Sequence, residues 1–226
     1  MTAATQRHNP IGKPVGQVET TTYGYNLRDE LVSLTDAKGA TTWARDGLGR
    51  ALSTTDTHTP RAGTTGYVYD QAQVIETLQL DGGPGPATIV RGSDQALLSQ
   101  TLGAGAADRG AVGTEVLLTD VLGSVFGVAR ANGTSSKIAT FTDFGEYVGN
   151  QHPSSVFGFT GEVQDAASSR VDFLARSYEA STGRFLQRDR AGQDVVQPAT
   201  FHPYPYAFAA PTTYSRAAMR RISMLM

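Results

Sequence analysis

Apolar residues in this chain recur at every second position over short runs, and no stretch sustains a 3.6-residue period. Tyr23 and Tyr25 flank Gly24, Tyr67 and Tyr69 flank Val68, and Leu78 and Leu80 alternate with Thr77 and Gln79. Side chains two apart project from one face of a strand, so the pattern predicts half-buried β-strands. The same alternation is expected downstream, at Phe157 and Phe159 around Gly158, and at Tyr204, Tyr206 and Phe208. Asn132-Gly133, between apolar runs, predicts a hairpin with a type I′ turn. A short helix is expected only within residues 215–226. The predicted class is all-β with little helix.

A degenerate repeat organises the first third. Tyr23-Gly-Tyr25-Asn26 is followed by Glu30-Leu31, Trp43-Ala-Arg45-Asp46 by Arg50-Ala51-Leu52, and Tyr67-Val-Tyr69-Asp70 by Val74-Ile75. Each unit reads as a strand, a tight turn and a second strand. Asn26, Asp46 and Asp70 stand where a side chain can bond its own backbone and start the turn. Gly47 and Gly49 can supply the positive φ such a turn needs. One unit cannot bury its aromatic face alone, so successive units must pair edge to edge into a long curved antiparallel sheet.

Composition agrees and excludes several functions. Gly makes up 25 of the 226 residues, and charged residues are 18%, against typical values of ~7% and ~25%. The formal charge of −2 gives no broad attraction for nucleic acid. Cys is absent, so disulfides, cysteine nucleophiles and thiolate metal sites are excluded together. No stretch approaches the ~18 apolar residues of a spanning helix, and Met1 to Pro10 shows no apolar signal-peptide core. The breakers in 81–86 and the Gly/Ala-rich 103–113 predict loops. Five regions are therefore expected: a disordered lead-in at 1–19, repeats at 20–80, a Gly/Pro/Ala-rich linker with short strands at 81–114, a second half at 115–211, and a basic tail at 212–226.

The second half carries ordered motifs. Thr119-Asp-Val-Leu-Gly-Ser-Val125, Asn132-Gly133, Phe144-Gly-Glu146, Phe157-Gly-Phe-Thr-Gly-Glu162 and Arg176-Ser-Tyr-Glu-Ala-Ser-Thr-Gly-Arg-Phe-Leu186 follow one another, and then Tyr204-Pro-Tyr206. In this order they resemble the RHS repeat-associated core, and the upstream units resemble YD repeats. The resemblance spans about 20–211. It implies a β-sheet spiralling into a hollow shell, closed at one end by the core, that encloses a C-terminal toxin or serves cell adhesion. It also implies commonly exported proteins, and aspartyl self-cleavage after a second D-P-x-G-L motif.

The departures from that pattern shape the expected function. The first D-P-x-G-L has its nearest counterpart at Asp189-Arg-Ala-Gly-Gln193, and no acidic residue follows Asp194. An aspartyl protease needs two carboxylates sharing one proton. With Asp189 alone in register, self-cleavage is expected to be lost; a residual enzyme would need Asp172 or Asp194 as the second carboxylate. The resemblance stops near Pro211, and too few residues follow to fold as a toxin. The expectation is a non-enzymatic shell fragment, detached from upstream repeats and toxin, with a frameshifted or recombined end. Its candidate partners are an upstream YD-repeat chain, a toxin polypeptide, or cell-surface glycans stacked on Tyr23, Tyr25, Tyr67 and Tyr69.

Other chemistry is thin, and no catalytic, cofactor or metal residue is assigned. His8, His58, His152 and His202 are scattered and read as loop histidines. Residues 103–110 lack the spacing of a dinucleotide loop. Ser124 lacks a nucleophile elbow. The sequon at Asn132 is explained by its turn, and Arg216, Arg220 and Arg221 read as a solvated terminus.

Overall fold

A computed structural model describes residues 2–8, 19–58, 62–82, 85–104, 112–149, 155–165, 170–189, 202–207 and 211. Twelve strands run in sequence order through one antiparallel sheet: β1 (Thr2–His8), β2 (Glu19–Tyr25), β3 (Leu31–Thr35), β4 (Ala40–Arg45), β5 (Ala51–Asp56), β6 (Gly63–Asp70), β7 (Gln73–Asp81), β8 (Ala87–Arg91), β9 (Leu97–Leu102), β10 (Gly113–Thr119), β11 (Val125–Arg130) and β12 (Ser135–Lys137). A second antiparallel sheet holds β13 (Val163–Gln164), β14 (Arg170–Phe173), β15 (Arg176–Glu179) and β16 (Arg184–Phe185). The strand–turn–strand unit and its edge-to-edge stacking are both present.

The repeated turns share one mechanism. In Asn26–Asp29, Asp46–Gly49, Gly92–Gln95, Asp120–Gly123, Arg130–Gly133 and Thr142–Gly145, the fourth residue's N–H bonds the first residue's carbonyl, and the fourth residue has positive φ. In three of them an Asn or Asp side chain at the first position then clamps the loop. Asn26 Oδ1 accepts from the N–H of Arg28 and Glu30, Asp46 Oδ1 from Leu48 and Arg50, and Asp120 Oδ1 from Leu122 and Ser124. That is the physical reason for the Asn or Asp after the aromatic position in the first two units. Gly49, with φ 85°, is the left-handed residue of its turn, whereas Gly47 is not. Asp46→Ala removes these acceptors together with the ion pair to Arg50 at 2.7 Å and should cost about 1–2 kcal/mol. Arg50 and the turn amides outweigh burial and hold the Asp46 carboxyl below its ordinary value. Its contribution is therefore present above the unfolded-state value near 4 and lost as pH falls below it. Urea melts of Asp46→Ala and the parent chain should converge in acid.

Four expectations need correction. Residues 2–8 of the lead-in form an edge strand, pairing with β2 from Thr2↔Tyr25 to His8↔Glu19. The loops near 81–86 and 103–113 do not divide the sheet, because β7 pairs β8, β8 pairs β9 and β9 pairs β10. The Asn132-Gly133 turn is not type I′. Only Gly133, at φ 80°, is left-handed, so Ala131 and Asn132 form a type I turn that ends in a glycine bulge. Phe157 and Phe159 do not line a strand; the chain makes a 3-10 turn at Phe159–Gly161, and the two rings enter different clusters. The tail at 212–226, with its expected helix and Arg216, Arg220 and Arg221, lies outside the described residues, as do Phe208, His152 and Asp194.

Three clusters form the core. Val74, Ala87, Ile89, Leu97, Leu102, Leu117, Val125 and Val128 bury the inner face of β7–β11 against Val156 and Phe157. Tyr23, Leu31 and Leu34 pack with Trp43 and Leu186. The small sheet has its own aromatic centre at Phe159, Tyr178, Phe185 and Tyr206, with Tyr178 and Tyr206 ring centroids 4.8 Å apart. The long sheet touches the C-terminal segments at β2, β4, β8 and β11, so it wraps around them.

Candidate functional site

The core-like motifs meet at one joint. Ser124, from Leu-Gly-Ser-Val, is fully buried, and its Oγ accepts from the N–H of Thr160 at 3.1 Å. The next residue, Val125, donates its N–H to the Gly158 carbonyl. Gln164 ties the joint from both sides: Oε1 accepts from Phe159 N–H, and Nε2 donates to the Gly145 carbonyl, each at 2.7 Å. Tyr178 donates its hydroxyl to the Phe144 carbonyl at 2.8 Å. A Cβ on Gly158 would strike Gln164 Oε1 and the Tyr147 hydroxyl, and one on Gly145 would strike the Phe159 ring. The glycines and Ser124 are therefore explained by close packing. Ser124 is a structural serine.

The repeat side chains reach the same C-terminal segments. Tyr23 donates to Glu179 Oε1 and Tyr25 to the Leu186 carbonyl, both at 3.0 Å, while Tyr69 donates to the Ala51 carbonyl at 2.9 Å. Burial pushes the Tyr25 hydroxyl up to about 12. Arg45 occupies the place of the second tyrosine in its unit. Its guanidinium donates to the carbonyls of Leu31 and Gly49, each at 2.8 Å, and to Ser177 Oγ at 3.2 Å. The Tyr rows are thus packed inward, not laid out as an exposed platform, and Tyr67 packs against the largest cluster.

Between the sheets lies a cavity of about 100 Å³, lined among others by Trp43, Asp56, Tyr67, Asp165, Arg170 and Asp172. Asp172 faces Arg45 at 3.7 Å. Burial pushes its carboxyl above the ordinary value despite the opposing pull of Arg45. Asp56 and Asp165 both line the cavity, and burial, then the Asp165 charge, push the Asp56 carboxyl above its ordinary value. On its other side Asp56 accepts from His58 N–H at 2.7 Å and contacts His58 Nδ1 at 2.5 Å. His58 Nε2 lies 3.1 Å from Asp36 Oδ1. Burial opposes the charged ring, but the Asp56 and Asp36 hydrogen bonds outweigh it and hold His58 above its usual value. Sequence reading missed this cluster, since Asp56, His58 and Asp165 lie in no shared motif.

The carboxylates considered for self-cleavage have other partners. Asp189 Oδ2 pairs with Arg176 Nη1 at 2.7 Å, and Arg176 stacks 3.7 Å from the Phe185 centroid. Asp172 pairs with Arg45 instead. Among the described residues, no three His, Asp or Glu side chains converge as a metal ion requires.

The chain is an all-β protein in which a sheet of consecutive hairpins packs on the C-terminal segments. Residues 113–212 match the family model described as Teneurin YD-shell. The structure of TcdB2-TccC3-Cdc42 is similar, with a TM-score of 0.65 and 16% identity, over 86% of this chain and 10% of that one. TcdB2-TccC3 gives 0.62 at 16% identity. The Tc holotoxin pore of Photorhabdus luminescens gives 0.60 at 14%, and both share the same coverage. The chain thus spans about 10% of the length of these structures. No curated protein matches it. Residues 113–212 are thus similar to the YD-shell family, and the fold of the chain is similar to that of these toxin-complex structures.

Proposed function

We propose that this chain is a non-enzymatic wall-and-plug segment of an RHS/YD shell. The observation that carries this reading is the joint itself. Ser124, Gln164, Tyr178 and the motif glycines hold the C-terminal segments against the sheet, and the candidate catalytic Asp189 is engaged by Arg176. The natural partners are a neighbouring YD-repeat chain, paired along the outer edge of β1 or β12, or a toxin polypeptide enclosed by the wall. The buried tyrosine hydroxyls favour this reading over a sugar-stacking module.

Intact-mass measurement during prolonged incubation tests the non-enzymatic part. The full-length mass should persist, and Asp189→Asn should behave identically. A C-terminal loss beyond Asp189 that Asp189→Asn abolishes would replace this reading with aspartyl self-cleavage.

A further inference from the structure

We propose that His58 is held as a doubly protonated imidazolium that clasps the β3–β4 turn to the end of β5, and that the clasp opens when the ring loses a proton. Nδ1 lies 2.5 Å from Asp56 Oδ1, and Nε2 lies 3.1 Å from Asp36 Oδ1. Both oxygens already act as acceptors. Asp56 Oδ1 accepts from the His58 N–H, and Asp36 Oδ1 from the N–H groups of Lys38 and Gly39 at 2.7 and 3.1 Å. A neutral imidazole has one N–H, so one of its nitrogens would turn a lone pair on a carboxylate oxygen. Only the charged ring donates to both.

The ring is placed to join two hairpins. Asp36 follows β3 and Asp56 ends β5, so the clasp spans β4, which pairs with both strands. His58 is only 5% exposed, and a Cβ on Gly39 would lie 3.1 Å from its ring. The turn therefore closes directly on the imidazole.

The neighbouring charges set the pH window. From the turn, Asp36 faces Nε2. Burial opposes its charge, but the Lys38 amide and His58 outweigh that and hold the carboxyl below its ordinary value. From β5, Asp56 faces Nδ1, with Asp165 and Arg170 lining the cavity behind it. Burial, then the Asp165 charge, push Asp56 upward. A proton gained there belongs on Oδ2, because Oδ1 already receives two N–H donors, so the clasp keeps its acceptor. Burial also opposes the charged ring, yet the Asp56 and Asp36 hydrogen bonds hold His58 above its usual value. The His58 contribution is therefore fully present below the free value of about 6.5 and is lost as pH rises through the raised value. In acid, the Asp36 share is lost as pH falls below about 4. This inference concerns the repeat hairpins and stands whether or not the chain lines a shell.

The test uses the full chain with nitrogen-labelled histidine rings, His58 being assigned through its backbone correlations. At pH 6.5 more than half of the His58 rings should show imidazolium shifts at both nitrogens, and a ring more than half neutral overturns the clasp. Asp36→Asn keeps an oxygen acceptor but removes the charge, so the His58 midpoint should fall; an unmoved midpoint overturns the Asp36 contact. In urea melts, the unfolding constant of the parent chain should rise from about pH 6.5 to the His58 midpoint by up to about tenfold per pH unit. His58→Gln should lack that rise, and an equal rise in both chains counts against the clasp. The parent-chain titration stands even where a variant fails to fold.

Discussion

Arg45→Ala should destabilise the chain by about 3–5 kcal/mol, because it leaves the buried Asp172 carboxyl without its cation. The Arg45 side chain is only 2% exposed, and it also caps the Leu31 and Gly49 carbonyls. Asp172→Asn should cost much less, since burial already disfavours the charge that it removes. The double variant should therefore lose clearly less than the two single losses summed, and a double-mutant cycle by urea denaturation measures that coupling. The Arg45→Ala deficit should also depend on pH. Without its cation, Asp172 in the folded chain takes up a proton more readily, which favours the folded state in acid and not at higher pH. The deficit should be larger at pH 8 than at pH 5, and an equal deficit at both would show that Asp172 is not the group left exposed to the loss.

Gly145→Ala should destabilise the chain far more than Gly133→Ala. Gly145 has φ 86°, and a Cβ there would fall on Cγ and Cδ1 of Phe159, with Cδ2 at 2.9 Å. The left-handed backbone costs about 1–2 kcal/mol, and forcing a methyl into the packed ring adds about 1–3 kcal/mol. Gly133 provides the control. It has φ 80° but nothing within 4 Å of its Cβ position, so Gly133→Ala should show the backbone cost alone. At roughly 2–4 °C per kcal/mol for a chain of this size, thermal melts separate the two. Equal shifts would mean that Phe159 moves aside and that the joint is less tightly packed than its geometry indicates.

Both predictions concern residues whose importance was only half legible beforehand. Arg45 is visible in sequence as a substitute in an aromatic-x-Tyr-Asp unit, but its guanidinium acquires a meaning only when Asp172 and Ser177 arrive from the far end of the chain. Gly145 is visible as part of a Phe-Gly-Glu motif, whereas the reason for a glycine is the Phe159 ring above it. The first strand escaped sequence reading for a different reason. Its residues, Thr2–His8, are mostly polar and carry no apolar alternation, yet backbone pairing along β2 needs none. Asn132-Gly133 suits both a type I′ turn and a type I turn with a left-handed glycine, so the dipeptide alone does not specify which forms.

What the sequence determined by itself is local. Alternating side chains specify strands, an Asp or Asn after them clamps the turn by bonding its own backbone, and a stack of such hairpins makes an all-β wall. Those interactions span a few residues, so their chemistry is written in short motifs. Tertiary structure alone decided which face turned inward, that Tyr23 and Tyr25 spend their hydroxyls on the C-terminal segments, and that Asp172 meets Arg45 and Asp189 meets Arg176. A carboxyl's partner depends on where the wrapped sheet brings distant strands together, and spacing along the chain carries no record of that meeting.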